Sequence, residues 1–465
     1  MAMPQSPAIS SAVLPGYEAQ LSDSGVEHSV AKLKAAASAL RDRLQPVDIC
    51  ERPCLREDET LSYRCRVTFQ LLCSGDGVWE YAMRTNKEAQ SINCSRFPIA
   101  TPRIQEAMDG LLQIMNGDGD TKLATLLSAR PASISFASSW ADDKDLTVTI
   151  NYTDPLPKSS TDGELKWLGE ADAVRRQCRM TSLTGRSRKR KLVSYDHSGN
   201  GEGNIVIRDS ITACCDVADG IVTDIIVGDR QPPHEGDICI QYEKPENAFA
   251  HPNGNAMKMA LKWILGRIAL ILNELGGSIG LLEMFCGCGA HTVPIAKFCS
   301  KIEYISCVEI DERLIMACQK NLQLNQIHAE FRRPDEGLEA KGRSGGPVVQ
   351  LFRGDAGEWA KKSRHKMNVK KKTEKECCTS NTTWYGRDYA ILLVDPPRDG
   401  LSSDVCRMAI EGSFQHIVYI SCGKEALQRD LGILSSAFEV VNCTLIDLFP
   451  RIDAVESLVH LRRRK

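Results

Sequence analysis

Three short stretches near the C-terminus hold side chains that could work together: Asp395-Pro396-Pro397-Arg398, Ser421-Cys422, and Glu456 in the run Asp447–Ser457. A thiol can add covalently to an electron-poor ring, a carboxylate can remove a proton, and an arginine can hold developing negative charge. That combination suits methylation of the C5 carbon of a pyrimidine. C5 is a poor nucleophile and needs covalent activation first. Cys422 follows an apolar run and precedes a helical pattern beginning at Lys424. A helix N-terminus favours the thiolate, which is the reason to expect a nucleophile there. Glu456 stands in a mainly apolar stretch, where a carboxylate costs energy unless it is paired or useful. Burial would raise its pKa, as suits a general base. Each feature has a plainer reading: a rigid Pro-Pro turn with a surface ion pair, a small core cysteine, and an edge strand facing solvent. A Tyr in place of Arg398 would instead suggest adenine amino-methylation.

Upstream lies a nucleotide-site pattern. Glu283-Met284-Phe285-Cys286-Gly287-Cys288-Gly289 follows an apolar run, and Glu309 ends the next one. Glycines at a strand–helix turn admit a ligand close to the backbone, and a carboxylate after the second strand can take both ribose hydroxyls. Asp355 follows the third run and is placed for an adenine amino group. The full Gly-x-Gly-x-x-Gly fingerprint is absent. With the Asp395–Arg398 corner added, S-adenosyl-L-methionine is favoured over NAD or glycines used only for packing.

The elements that must position these residues are legible as alternating strands and helices. Residues 280–285, 304–310, 348–352, 389–395 and 416–421 are short apolar runs, with helical stretches at 291–299, 313–325, 402–412 and 424–438. Buried strands alternating with helices predict an α/β fold with a parallel, doubly wound sheet. Leu261, Ile264, Leu265, Ile268, Ile271, Leu272 and Leu275 predict a helix leading into it. The runs 440–449 and 455–463 predict a closing antiparallel hairpin at the sheet edge, and Lys-rich 361–375 an exposed loop. Earlier, Ala31–Leu44 reads as a helix. Tyr63, Cys65, Val67, Phe69 and Leu71 alternate with Arg64, Arg66, Thr68 and Gln70, a half-buried strand with a partly basic face. A helix over 103–116 and a strand over 146–152 follow. The expected organisation is a flexible tail (1–28), an α+β domain (29–245) and the doubly wound domain (246–465).

With 465 residues and 42% hydrophobic content the chain can build two or three cores. Its net charge of −2 sets up no global basic field, so a polyanion would have to meet local patches such as Arg186–Lys191. No apolar run is long enough for a membrane span. The first 25 residues include Glu18 and Asp23 and no Lys or Arg, unlike a secretory or mitochondrial leader. Nineteen cysteines, including the pairs Cys214-Cys215 and Cys377-Cys378, read as reduced intracellular thiols, with cytoplasmic placement expected. The spacing of Cys50, Cys54, Cys65, Cys73 and Cys94 matches no zinc or iron–sulfur template, so no metal is expected.

Taken together the motifs resemble the RNA uracil-C5 methyltransferases, specifically the tRNA (uracil-5-)-methyltransferase branch. Asn247–Asn253, Leu281–Gly289, Val308–Asp311, Val394–Leu401, Tyr419–Gly423 and Asp447–Ser457 carry the resemblance, with 63–70 and 95–98 in the N-terminal domain. It implies a Rossmann-like class I methyltransferase domain behind an RNA-binding domain, S-adenosyl-L-methionine as methyl donor, and the T-arm of tRNA as partner. A monomer is expected. It implies Cys422 as nucleophile, Glu456 as base, Asp395 at cofactor and base, and Arg398 on the substrate. Phe285, Gly287, Gly289 and Glu309 would line the donor site together with His251, Ala290 and Asp355. Phe97 and Phe249 would lie near the target base, and Arg64 and Arg66 in the RNA-binding domain. Three positions depart from the family's pattern: His251 and Gly423 stand where Gln and Asn are usual, and Ala290 replaces an Asn. The alternatives are a ribosomal-RNA uracil methyltransferase, although that branch's iron–sulfur cysteines and extra barrel are not visible, and a non-catalytic tRNA-binding folding factor. A cytosine-C5 methyltransferase would be expected to carry Pro-Cys or Thr-Cys rather than Ser421-Cys422.

Overall fold

The apolar runs lie side by side in a computed structural model that describes residues 24–41, 48–84, 91–93, 97–117, 124–140, 145–188, 190–195, 206–215, 222–228, 234–246, 248, 251–276, 279–332, 346–373 and 389–465. The chain divides into two compact units. Described residues of 54–207, with 24–28 and 450–452, make the first; 29–53, 208–449 and 453–465 make the second.

The first unit is built on a seven-stranded sheet, in spatial order Ser91–Asn93, Trp79–Arg84, Arg66–Cys73, Pro131–Ser138, Leu146–Tyr152, Ser182–Ser187 and Arg190–Tyr195. Neighbours are antiparallel except Leu146–Tyr152 and Ser182–Ser187, which the helix Asp162–Gln177 joins as a parallel crossover. The period-two alternation works as read. Val67, Phe69 and Leu71 are buried with Tyr81, Phe136 and Trp167. The opposite face is polar, where Thr68 Oγ1 meets Ser135 Oγ at 2.9 Å and Asn151 Nδ2 donates to Ser133 Oγ at 3.0 Å. Tyr63 donates to the Pro450 carbonyl at 2.8 Å, and Arg451 Nε to Thr60 Oγ1 at 3.1 Å.

In the second unit, a nine-stranded sheet runs in the order Ile49–Arg52, Phe438–Ile446, Glu456–Arg463, His416–Ser421, Ile391–Val394, Ile279–Met284, Ile302–Glu309, Val348–Arg353 and Ala329–Phe331. From His416–Ser421 to Ala329–Phe331 all strands are parallel, and Glu456–Arg463 is antiparallel to both neighbours. Ile279–Met284, Ile391–Val394 and His416–Ser421 are buried along their whole length, because helices cover both faces. Each fully buried Leu or Ile there contributes about 1.5–3 kcal/mol. The chain leaves Ile279–Met284 toward one edge and returns at Ile391–Val394 to build toward the other. That reversal opens a crevice beyond the C-terminal ends of these two strands.

Four expectations change. The boundary at 245 gives way: Ile49–Arg52 pairs in parallel with Phe438–Ile446, and the three-stranded sheet of Val206–Cys215, Val222–Val227 and Ile238–Pro245 falls, from Arg208 onward, in the second unit. Asn321 and Asn325 side chains bind the backbone of Glu243 and Gln241, and Lys262 reaches Asp224. Residues 25–28 are the first turn of the helix Gly25–Arg41 rather than tail; the remainder of the expected tail lies outside the described residues. The Lys-rich stretch as far as Thr373 continues the helix Ala356–Thr373, because Ala356, Trp359, Ala360 and Ser363 give it a buried stripe; 374–375 lie outside the described residues. Finally, Glu456–Arg463 is no edge strand. It lies between two others, and Ile49–Arg52 takes the edge.

Candidate active site

Register places the chemical residues. Met284 pairs with Val394 and Val394 with Tyr419, so Phe285 and Asp395 leave adjacent strands at the same level, and Cys422 leaves the next one. Ser421 pairs with Ser457 in the antiparallel direction, which sets Glu456 beside Cys422; Glu456 itself pairs with Ile446. Cys422, Glu456, Asp395 and Arg398 thus converge on one end of the sheet. Arg398 lies close enough to the Cys422 thiol to favour its ionised form, and the Glu456 and Asp395 carboxylates bear on it from the other side of the balance.

Electrostatics follow from this crowding. Burial lifts the Cys422 thiol above its ordinary range, both carboxylates lift it further, and Arg398 opposes them. The helix-terminus expectation of a depressed thiol therefore fails. Gly423, the N-cap of Lys424–Leu434, makes no side-chain cap, and desolvation outweighs the helix end. Asp395 keeps part of its surface open at the crevice, yet the surrounding protein raises it to about 7. Glu456 is only 5% exposed, and burial plus Asp395 push it well above the usual carboxylate range. The solvent-facing reading of Glu456 falls on that burial.

Behind Arg398 the corner is tightly tied. A Cβ at Gly423 would collide with the Arg398 carbonyl oxygen, so glycine permits close approach of the Cys422 loop to the Asp395–Arg398 corner. Asp430, fully buried, accepts from Leu401 N and Tyr419 OH at 2.7 Å each and from Arg429 Nε at 2.8 Å. Arg429 also donates to the carbonyls of Asp399 and Leu401. Replacing Asp430 by Ala strands buried donors, and Asp430→Ala is expected to lower unfolding stability by about 3 kcal/mol in a denaturant titration.

Of the residues expected at the donor site, Phe285, Gly287 and Gly289 form the glycine turn and Glu309 is bonded to it. Phe285, Gly287 and Gly289 have φ of 64°, 56° and 83°. A Cβ on Gly287 would meet nothing within 4 Å, leaving open space over the backbone. Glu309 Oε2 accepts from Gly287 N at 3.1 Å and Oε1 from Asp311 N at 2.8 Å, which fixes the carboxylate beside the turn with lone pairs to spare. Asp355 spends one oxygen on Glu358 N at 2.9 Å as a helix cap. His251 gives Nδ1 to the Asn253 carbonyl at 3.0 Å, and burial lowers it to about 4, so its ring is neutral at pH 7. The Ala290 carbonyl accepts from Tyr242 at 3.1 Å. An open glycine turn beside a fixed carboxylate fits an adenosine-bearing cofactor.

Other expected residues fare differently. Phe97 is 2% exposed and meets Phe69 edge to face, so stacking on a base would require its ring to leave the core. Phe249 lies outside the described residues. Arg64 Nε donates to the Arg66 carbonyl at 3.0 Å, and Arg66 is half-buried, its guanidinium lowered by desolvation. Sequence reasoning missed Glu283, which is 1% exposed, accepts from Thr292 Oγ1 at 2.7 Å and is raised well up by burial. Like Glu456, it is a carboxylate within an apolar strand, a pattern visible in the sequence. Among the described residues no group of three or more His, Cys, Asp or Glu is placed to hold a metal ion, and no helix is long and apolar enough to cross a membrane.

The strand order, the glycine turn after Ile279–Met284 and the acidic corner after Ile391–Val394 define a class I methyltransferase fold. A family described as tRNA (uracil-5-)-methyltransferase matches residues 28–202, 230–331 and 383–464, and the chain belongs to that family. Curated relatives include a Pseudoalteromonas atlantica tRNA/tmRNA (uracil-C(5))-methyltransferase, 27% identical over 87% of this chain and 89% of its own length. A Vibrio cholerae protein of the same description is 25% identical, with 97% of each chain covered. Among solved structures, Pyrococcus abyssi tRNA (uracil-54, C5)-methyltransferase in complex with S-adenosyl-L-homocysteine shares the fold at a TM-score of 0.52 and 15% identity, covering 94% of this chain and 84% of that one.

Proposed function

We propose that this protein methylates C5 of a uridine in tRNA, with the T-loop uridine as target and S-adenosyl-L-methionine as donor. The observation that carries the reading is the convergence of Cys422, Glu456, Asp395 and Arg398 at one sheet end, beside the glycine turn. Phe285, Gly287, Gly289 and Glu309 would hold the cofactor, which supplies an electrophilic methyl group. The target uridine must leave its stack to reach the crevice. The Cys422 thiolate forms a bond to C6, and the electron pair of the C5–C6 double bond moves toward C5 and O4. Arg398 stands beside the sulfur and stabilises the anion that develops. C5 then bears the density needed to accept methyl. Glu456 takes the C5 proton; the C–H pair restores the double bond, and the C6–sulfur bond breaks to release the thiolate.

tRNA affinity would come from local basic elements of the first unit. Arg188 and Lys191 are exposed near the turn between Ser182–Ser187 and Arg190–Tyr195. Arg190 instead pairs with Glu164, and Lys189 lies outside the described residues.

A pH dependence follows from the raised thiol. Reaction needs the thiolate, so kcat/KM is expected to climb as pH rises past neutrality, with its limb above the ordinary thiol range. Arg398 lowers the thiol, so Arg398→Gln should move that limb to still higher pH, as a pH–rate profile would read. The direct assay of function is transfer of labelled methyl from S-adenosyl-L-methionine to unmodified tRNA, with nucleoside analysis. Formation of 5-methyluridine is the predicted result. Product at another base, or product only with ribosomal RNA, would refute it.

A further inference from the structure

Lys32 lies on the helix Gly25–Arg41, far in sequence from the site, and is 8% exposed. Its Nζ lies 2.5 Å from Asp447 Oδ1, 2.7 Å from the Phe449 carbonyl and 3.3 Å from the Ala454 carbonyl. The ammonium thus makes an ion pair with Asp447 and donates to two backbone carbonyls. The acceptors sit at the two ends of the connection between Phe438–Ile446 and Glu456–Arg463. Asp447 directly follows Ile446, and Ala454 stands two residues before Glu456. Ile446 and Glu456 are themselves partners in the ladder. One buried cation therefore closes the mouth of the loop, one residue beyond Ile446 on one side and two before Glu456 on the other.

The helix is anchored for this task. Leu33, Ala37 and Leu40 pack into the core that also holds Leu445 and Val459. The near end of the loop has further ties: Asp447 N donates to the Arg52 carbonyl at 3.3 Å, and Asn253 Nδ2 to the Leu448 carbonyl at 3.0 Å. The far end, at Ala454, is held by Lys32 itself.

We propose that Lys32 is a positioning residue for proton removal: by bridging Asp447 and Ala454 it fixes where Glu456 starts its strand, and so where the carboxylate stands relative to Cys422. The inference rests on the reading of Glu456 as the base. Losing Lys32 should leave Cys422 and the donor site in place, so addition to C6 and methyl uptake proceed while removal of the C5 proton lags. A misplacement of about 1 Å can cost on the order of 10²-fold in rate.

The test uses full-length protein, unmodified tRNA carrying natural uridine, and S-adenosyl-L-methionine. It reads kcat together with the fraction of RNA held in a denaturation-resistant protein adduct. Lys32→Met is expected to lower kcat on the order of 10²-fold and to accumulate adduct, while Lys32→Arg restores much of both. Should Lys32→Met fail to fold, Asp447→Asn, nearly isosteric, is expected to show the same paired change. Glu456→Gln run alongside reports on the base. If Glu456→Gln accumulates adduct and the folded Lys32 or Asp447 variant turns over normally, or slows without adduct, the positioning role is overturned. If Glu456→Gln accumulates none, the reading of the base fails, and the inference fails with it.

Discussion

Cys422→Ser is expected to lower methyl transfer to tRNA by a factor on the order of 10⁵, with binding of tRNA and cofactor retained. Serine is nearly isosteric at this partly buried position, so fold and docking should survive. What is lost is the nucleophile. A serine hydroxyl is far less acidic than a thiol, and a site that already lifts the thiol by burial and by two carboxylates gives it no help. Without addition to C6, C5 stays a poor nucleophile whatever else the site supplies. Quantifying 5-methyluridine in single-turnover reactions checks this. A loss confined to KM would assign Cys422 to binding instead.

Glu456→Gln carries the second large effect, and it differs in kind. Turnover should fall about 10²–10⁴-fold, the usual contribution of a general base, while a covalent protein–RNA species builds up. Gln keeps the shape and can hydrogen-bond, yet it cannot take the C5 proton, so the adduct has no exit. The high pKa of Glu456, set by burial and by Asp395, makes its carboxylate a stronger base once ionised. Denaturing gel electrophoresis with labelled tRNA reads the adduct directly. Normal turnover in Glu456→Gln would remove it from the mechanism.

The sequence was most legible where one physical demand dominates a segment. The apolar runs around Leu281, Ile305, Leu351, Leu392 and Val418 are buried on both sheet faces, and that demand erases polar alternation in a recognisable way. Cys422 and Glu456 were visible as polar groups at or within such runs. Helix 356–373 was misread from Lys361 onward because its buried stripe, Ala356, Trp359, Ala360 and Ser363, largely precedes the lysines. Contacts that join distant segments left no local trace. Lys32 on Asp447 and Phe449, or Ile49–Arg52 beside Phe438–Ile446, each depend on a partner hundreds of residues away. The thiol's environment was equally hidden: the helix start at Lys424 was readable, while the burial and the two carboxylates that outweigh it arise only once strands are paired. Phe97 shows the converse, an aromatic whose family motif suggested a base but whose neighbours here are Phe69 and the first unit's core.

Every proposed step depends on the covalent route through Cys422, and a trapping experiment probes that route. The protein is mixed with S-adenosyl-L-methionine and a T-arm RNA carrying 5-fluorouridine at the target position, then denatured. Fluorine replaces the hydrogen that the proposed base, Glu456, would remove, so the proposed reaction stops with the ring still joined to sulfur. The expected result is an adduct that resists denaturation, requires the cofactor, and disappears in Cys422→Ser. Absence of adduct from an enzyme that converts the uridine version of the same RNA to 5-methyluridine would contradict it.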